Sequence, residues 1–177
     1  MVRCSPISPA VAASRAHPPL VSPEAAIKAA RQGLSQLHSS DQPGIEASLA
    51  AGQAGTPIYV SRCDQAGKGY YLVPWQEPGG ISLIVQVDAS TGQLASVAVP
   101  SIPQPTLVMS AEEARHHVNQ KLALRVTAEP VLVWQPCRET ASPFLPLYRV
   151  ETEAGRVFVG MNGAVHQQLH SFMKGGG

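Results

Sequence analysis

The sequence predicts an α+β protein built as two tandem modules, each a helix packed on a curved antiparallel sheet of three to four strands. Three observations predict it. One helix start is written twice, as Ser22-Pro23-Glu24-Ala25-Ala26 and as Ser110-Ala111-Glu112-Glu113-Ala114. Each start leads through a helical stretch into an apolar segment opened by proline, Pro57-Ile58-Tyr59-Val60 and Pro130-Val131-Leu132-Val133. After each proline the hydrophobic period falls to two, and short apolar runs alternate with turn residues. A repeat of this length marks copies of a small unit rather than one large core.

The elements follow in order. Residues 1–21 are rich in Pro, Ser and Ala without periodicity and read as a flexible leader. The first module spans 22–99. Ser22 is a good N-cap with Pro23 at the first helical position. Ile27, Ala30, Leu34 and Leu37 recur at spacings of three and four, which places them on one helical face. Asp41-Gln42-Pro43-Gly44 ends that helix, and a short second helix fits between Ile45 and Ala51. Strands are expected at Ile58–Cys63, Tyr70–Gln76, Ile81–Asp88 and Gln93–Val99, divided by Gly67-Lys68-Gly69, Pro78-Gly79-Gly80 and Ser90-Thr91-Gly92. Ile81, Leu83, Val85 and Val87 alternate with the intervening residues, so one apolar face should pack on the helix. Pro74 removes a ladder donor and predicts a bulge or a partial edge.

Residues 100–106, with Pro100, Pro103 and Pro105, read as an extended linker. The second module spans 107–173. Ser110 and Glu113 form a capping box, and Ala111, Ala114, Val118 and Leu122 form the apolar face of the helix they open. Strands are expected at Val131–Gln135, Phe144–Glu151, Arg156–Met161 and Val165–Leu169, with Ala154-Gly155 and Asn162-Gly163 closing hairpins. Residues 174–177 are a tail with nothing to bury.

Hydrophobic residues make up 44% of the 177, enough for packed cores, while charged residues make up only 14%. The net charge of +1 and the scattered Lys and Arg give no electrostatic ground for nucleic acid or anionic membrane as a partner. No stretch approaches the roughly 20 apolar residues that span a bilayer, and the chain as given opens without a signal-peptide pattern. Cys4, Cys63 and Cys137 are too few for a disulfide scaffold and wrongly spaced for zinc. Cys63 and Cys137 fall near the ends of corresponding strands. They are either a bridge between modules or two unpaired thiols, since sequence does not supply the Cα separation of under about 7 Å that a bridge needs.

The segment Ile84-Val85-Gln86-Val87-Asp88-Ala89-Ser90-Thr91-Gly92-Gln93-Leu94 resembles the PepSY domain, whose hallmark is an apolar strand ending in Val-Asp, small residues, Thr-Gly and a further strand. In physical terms Asp88 can bond its own turn and Gly92 can take positive φ. In the second half, Val157-Phe158-Val159-Gly160-Met161-Asn162-Gly163-Ala164-Val165 keeps strand and turn but lacks the Asp and Thr. The resemblance implies a cystatin-like helix on a curved sheet, and a non-enzymatic, protein-binding or peptidase-regulating role outside the cytoplasm.

No catalytic constellation is expected. His116 and His117 are adjacent and point about 100° apart on a helix, so both cannot ligate one metal. His166 and His170 have helical ligand spacing but fall on an expected strand, where they would lie roughly 12 Å apart or more. No Cys-His signature, nucleophile elbow or phosphate loop occurs. Glu24, Glu112 and Glu113 answer helix dipoles. The expectation is therefore no catalytic residue, no metal and no cofactor. Tyr70, Trp75 and Trp134 are the candidate partner interface, because Tyr and Trp are enriched at interfaces. Trp75 stands out because Pro74 should leave its ring at a sheet edge.

The reading is a protein- or peptide-binding module, with a peptidase among the partners it could restrain, acting by strand addition or a hairpin wedge. A structural accessory subunit or homodimer is the alternative. A carrier of a small apolar ligand in the helix–sheet cup is a further one.

Overall fold

The computed structural model describes residues 20–37 and 43–172. The leader to residue 19 with Cys4, the Asp41-Gln42 step and the tail lie outside the described residues. Among the described residues the chain forms α1 (Pro23–Gln36), α2 (Pro43–Ala51), β1 (Gln53–Ala54), β2 (Ile58–Arg62), β3 (Gly69–Glu77), β4 (Gly80–Asp88), β5 (Leu94–Ala98), α3 (Ala111–Leu122), β6 (Val131–Trp134), β7 (Leu147–Thr152), β8 (Gly155–Gly160) and β9 (Val165–His166). It is an α+β fold of three helices and one mostly antiparallel sheet of nine strands.

Both helix starts form as their residues dictate. The Ser22 side chain accepts from the Ala25 amide, and Pro23 opens α1. Ser110 and Glu113 cap each other in a complete capping box. Ala26, Ala30 and Leu34 bury the inner face of α1. Leu37, expected on that face, is exposed because the helix stops at Gln36 and the cap residue turns away from the helical direction.

The sheet order is β5-β4-β3-β2-β6-β7-β8-β9, with β1 paired to β3 off this path. All pairs are antiparallel except β2 with β6, where Ser61 opposes Val133 and Arg62 opposes Trp134. That single parallel contact joins the two halves of the chain into one sheet.

Side-chain alternation then fixes the layers. Tyr71, Val73 and Trp75 of β3, with Leu83, Val85 and Val87 of β4, bury one face under α1 and Ile45 of α2. Tyr148 and Val150 of β7, with Val157 and Val159 of β8, pack under Ala114 and Val118 of α3. Through the registers Leu132↔Tyr148 and Arg62↔Trp134, α3 lies on the opposite face from α1. Each half therefore has a back not covered by its own helix. Behind the first half, Val60, Tyr70, Leu72, Ile84 and Trp134 are closed over by Leu107 and Phe144. Behind the second, Val133 and Leu147 meet Cys137, with Phe158 and Leu169 packed against them.

Two irregularities modify the alternation read from sequence. The β3–β4 register shifts between Trp75 and Gln76, immediately after Pro74. Trp75 faces Leu83 while Gln76 faces Ile81, so Ser82 is the extra residue and Ile81 turns to the other face. A second shift opposes Gln86 to Ser96 and Val87 to Leu94, leaving Ala95 as the extra residue on β5.

Residues 100–106 are docked rather than free-running. The Ile81 amide donates to the Gln104 carbonyl at 2.7 Å, and the Gln104 amide donates back at 3.2 Å. Gly80, at φ +123°, allows this approach, since a Cβ there would stand 2.7 Å from the Gln104 oxygen.

Candidate functional site: an apolar groove beside an open sheet edge

A cavity of about 930 Å³ forms a groove on the face that carries α3. Its floor is Ile84 and Ala98 of the first half and Tyr148 of the second; its walls include Met109, Phe144 and Met161. It forms because α3 covers only the β6–β9 half of that face, while thin connections cover the rest. Val99 is 50% exposed and Leu145 56% exposed at its rim. Ile102, in the same connection, is 69% exposed.

Polar groups in the groove are few and already engaged. The Tyr148 hydroxyl donates to the Met109 carbonyl at 3.0 Å. Burial, and secondarily the Glu113 charge, push that phenol above its ordinary value. One Glu113 carboxylate oxygen accepts from the Ser110 amide at 2.6 Å and from the Ser110 hydroxyl at 2.8 Å. The amide bond, then the hydroxyl bond, hold Glu113 below the usual carboxylate range, so it is charged at neutral pH. A second cavity, about 660 Å³ and open, lies around Pro57 and Pro74 and brings no ionisable cluster together.

The aromatic residues read from sequence as a partner interface are placed elsewhere. Tyr70 and Trp75 are each only 3% exposed and Trp134 7%. This corrects the expectation of exposed rings. Trp75 is paired on both sides, to Ala54 of β1 and Leu83 of β4, because the two-residue strand β1 covers the edge that Pro74 was expected to leave open. Trp134 stacks edge-on to Tyr70 with Arg62 over its ring at 4.8 Å. The Tyr70 hydroxyl ties β3 to the Pro143 carbonyl at 2.7 Å, and burial raises its pKa. Tyr70 and Trp134 join the two halves of the sheet, while Trp75 packs within the first half against α1 and α2.

Among the described residues Cys63 and Cys137 stand as free thiols, Cys63 exposed and Cys137 buried. Burial pushes both thiols up. His170 lies beyond β9, which ends at His166 rather than at Leu169. Its ring nitrogen meets Glu139 at 2.6 Å, and its backbone amide donates to the same carboxylate at 2.9 Å. The carboxylate thus stands between the imidazole and the neighbouring Cys137, which is not an arrangement in which the ring could activate the thiol. His116 and His117 have ring centroids 6.4 Å apart.

The Asp88 turn forms as its residues require. One Asp88 oxygen accepts from the Ser90 and Thr91 amides, each at 2.8 Å, and from the Thr91 hydroxyl at 3.1 Å. Gly92 takes φ +69°. Sequence reasoning missed the groove itself. Ile84 is apolar on the otherwise polar side of its strand, which is the signal that could have found it; Val99 and Leu145 were read within strands, but β5 ends at Ala98 and β7 begins at Leu147.

Among the described residues no helix is long and apolar enough to cross a membrane, and no group of three or more His, Cys, Asp or Glu side chains could hold a metal ion. Comparison with protein-family models, with curated proteins and with solved structures finds no match.

Proposed function

We propose that the chain is a non-enzymatic module that binds a protein or peptide, built as two tandem PepSY-like copies of one helix-on-sheet unit. The tandem reading is supported by corresponding contacts. In each half a buried tyrosine hydroxyl bonds the carbonyl just before the helix N-cap: Tyr71 to Val21 and Tyr148 to Met109, both at 3.0 Å. Ala26, Ala30 and Leu34 stand at the same helical positions as Ala114, Val118 and Leu122. The PepSY-like assignment is supported by the Asp88 turn, and it brings with it a peptidase as the partner class and an extracytoplasmic setting.

The observation that carries the binding reading is the open apolar groove with Val99 and Leu145 exposed at its rim. Exposed apolar surface gathered at a groove is costly in water unless a partner covers it. The test is selection of peptides from a random displayed library on the full chain. Saturable enrichment of peptides recovered intact by mass spectrometry supports the reading. No enrichment, or hydrolysis that one Cys or His substitution abolishes, overturns it. The cavity volume also favours a second reading, a carrier of a small apolar molecule, since such sites run to about 300–1,000 Å³. Saturable uptake of an apolar fluorophore, competed by fatty acids and not by peptides, would select it.

A further inference from the structure

We infer that the β5 edge and the groove continuing from it form one track for an extended, apolar strand of a partner protein that carries a basic residue facing Glu113. The inference rests on the protein-binding reading above and specifies its surface and the partner's chemistry.

Among the described residues β5 ends the sheet and pairs only with β4. An unpaired edge presents a row of backbone donors and acceptors, and the group complementary to that row is another extended backbone. Proteins blunt such edges with charge, proline or shortness. The other end of the sheet, β9, is two residues long. The β5 sequence Leu-Ala-Ser-Val-Ala has neither charge nor proline, and only the bulge at Ala95 modifies it. The groove begins where the edge stops, with Ala98 on its floor and Val99 at its rim. A strand paired to β5 would turn alternate side chains to the face on which Ile84 and Ala98 lie, and so into the groove.

Charge narrows the occupant. Glu113 is the one Asp, Glu, Lys, Arg or His side chain among the residues lining the groove. Ser110 occupies one oxygen of this exposed side chain and, among the described residues, leaves the other without a hydrogen bond. The track therefore favours a cation at that point and disfavours an acidic segment. A second copy of this chain fits poorly, because pairing β5 with β5 would bring only uncharged residues 93–100 to the carboxylate.

The test uses the full chain and a ten-residue capped peptide of alternating Val and Thr with one Lys. Two companions have that Lys replaced by Glu, or alternate backbone nitrogens methylated. Fluorescence anisotropy should show binding of the parent. Methylation of the paired nitrogens should weaken it about tenfold or more by removing main-chain donors. The Glu peptide should bind a few-fold more weakly at low salt, and Glu113→Gln, which keeps the cap, should abolish that difference. The exposed-site variants Val99→Asp and Leu145→Asp should each weaken binding about tenfold with unchanged circular dichroism. Hydrogen exchange should slow at β5 amides. Library-selected peptides that bind independently of Val99 and Leu145, without protecting β5, overturn this inference and leave the binding reading standing. A concentration-dependent dimer abolished by Ala95→Lys, at the exposed position of β5, with no peptide binding, also overturns it.

Discussion

The C-terminal segment should act as a latch over Cys137, and removing the Glu139 side chain should expose that thiol without unfolding the protein. Three hydrogen bonds tie residue 170 to Arg138 and Glu139, and the Gln168 side chain meets its ring at 3.2 Å. The Arg138 amide donates to the His170 carbonyl at 2.8 Å, and Glu139 takes the His170 amide and meets its ring nitrogen. The Glu139 side chain is only 9% exposed although the ring is 55% exposed. Beneath lies Cys137 at 0% exposure, with Leu169 packed against the same cluster. A hydrogen bond to a charged group contributes about 1.5–3 kcal/mol, and the half-exposed ring places its bond toward the low end. Glu139→Ala, losing both side-chain bonds, should then cost roughly 3 kcal/mol of local stability, or on the order of a hundred-fold in the rate at which Cys137 is labelled. His170→Ala, losing the ring's contacts with Glu139 and Gln168, should give about ten-fold. Peptide-level mass spectrometry after alkylation reads each cysteine separately, and exposed Cys63 serves as the internal reference.

The pH dependence has a fixed sign. Burial pushes the Glu139 carboxyl up, but bonds from the His170 ring and amide outweigh it and hold it at about 2 against an ordinary 4.5. A depressed folded value contributes stability above the ordinary value and loses it as pH falls toward the folded one. Opening should therefore rise between pH 4.5 and about 2, read with 4,4′-dithiodipyridine, which reacts with thiols in acid. The rise should be absent in Glu139→Ala. Wild-type Cys137 labelling as fast as Cys63, or labelling indifferent to both substitutions, would refute the latch.

Other substitutions probe the frame. Tyr71→Phe and Tyr148→Phe each delete one hydroxyl bond to a carbonyl beside an N-cap, and each should lower stability by about 0.5–1.5 kcal/mol in urea melts. Their double mutant should be additive, because the sites share no partner. Gly80→Ala places a Cβ against the Gln104 backbone at a φ disfavoured for alanine; it should cost about 1–3 kcal/mol and speed exchange of the Ile81 and Gln104 amides. Asp88→Ala empties a turn acceptor of three bonds and should cost about 1–2 kcal/mol by thermal melting, with the loss concentrated in the β4–β5 hairpin.

Most of the elements were legible because their causes are local. Ser22-Pro23, the Ser110/Glu113 box and Gly92 each fix a boundary within a few residues of themselves. The parallel pairing of Ser61 with Val133 was not legible, since 72 positions separate the two in sequence and no local pattern specifies which strands become neighbours. The same blindness misplaced the aromatic rings. Trp75 is buried because a two-residue strand, too short for periodicity to reveal, pairs beside it, and Trp134 is buried because the other half of the chain lies against it. Ile81 was read on the helix-facing side because one extra residue, Ser82, inverts the alternation.

That long-range pairing decides where surface is left for binding. Had the halves met in simple sequence order, β5 would have paired with β6, and both helices could have shared one face. Instead the first long strands of each half meet in parallel, and the meanders run outward in opposite directions. A rotation about an axis along those strands relates such an arrangement, and it exchanges the two faces of the sheet. Each helix therefore cannot shelter the back of the other half. Those backs are closed by connections: Leu107 and Phe144 behind the first half, and Cys137 and Leu169 behind the second. A connection fills a face less completely than a helix does. The groove is the gap left where residues 98–109 pass over β4 and β5 before α3 begins. Shortening that connection should close the groove while leaving both helix-facing cores intact, so the order of strands, rather than any single side chain, sets the available site.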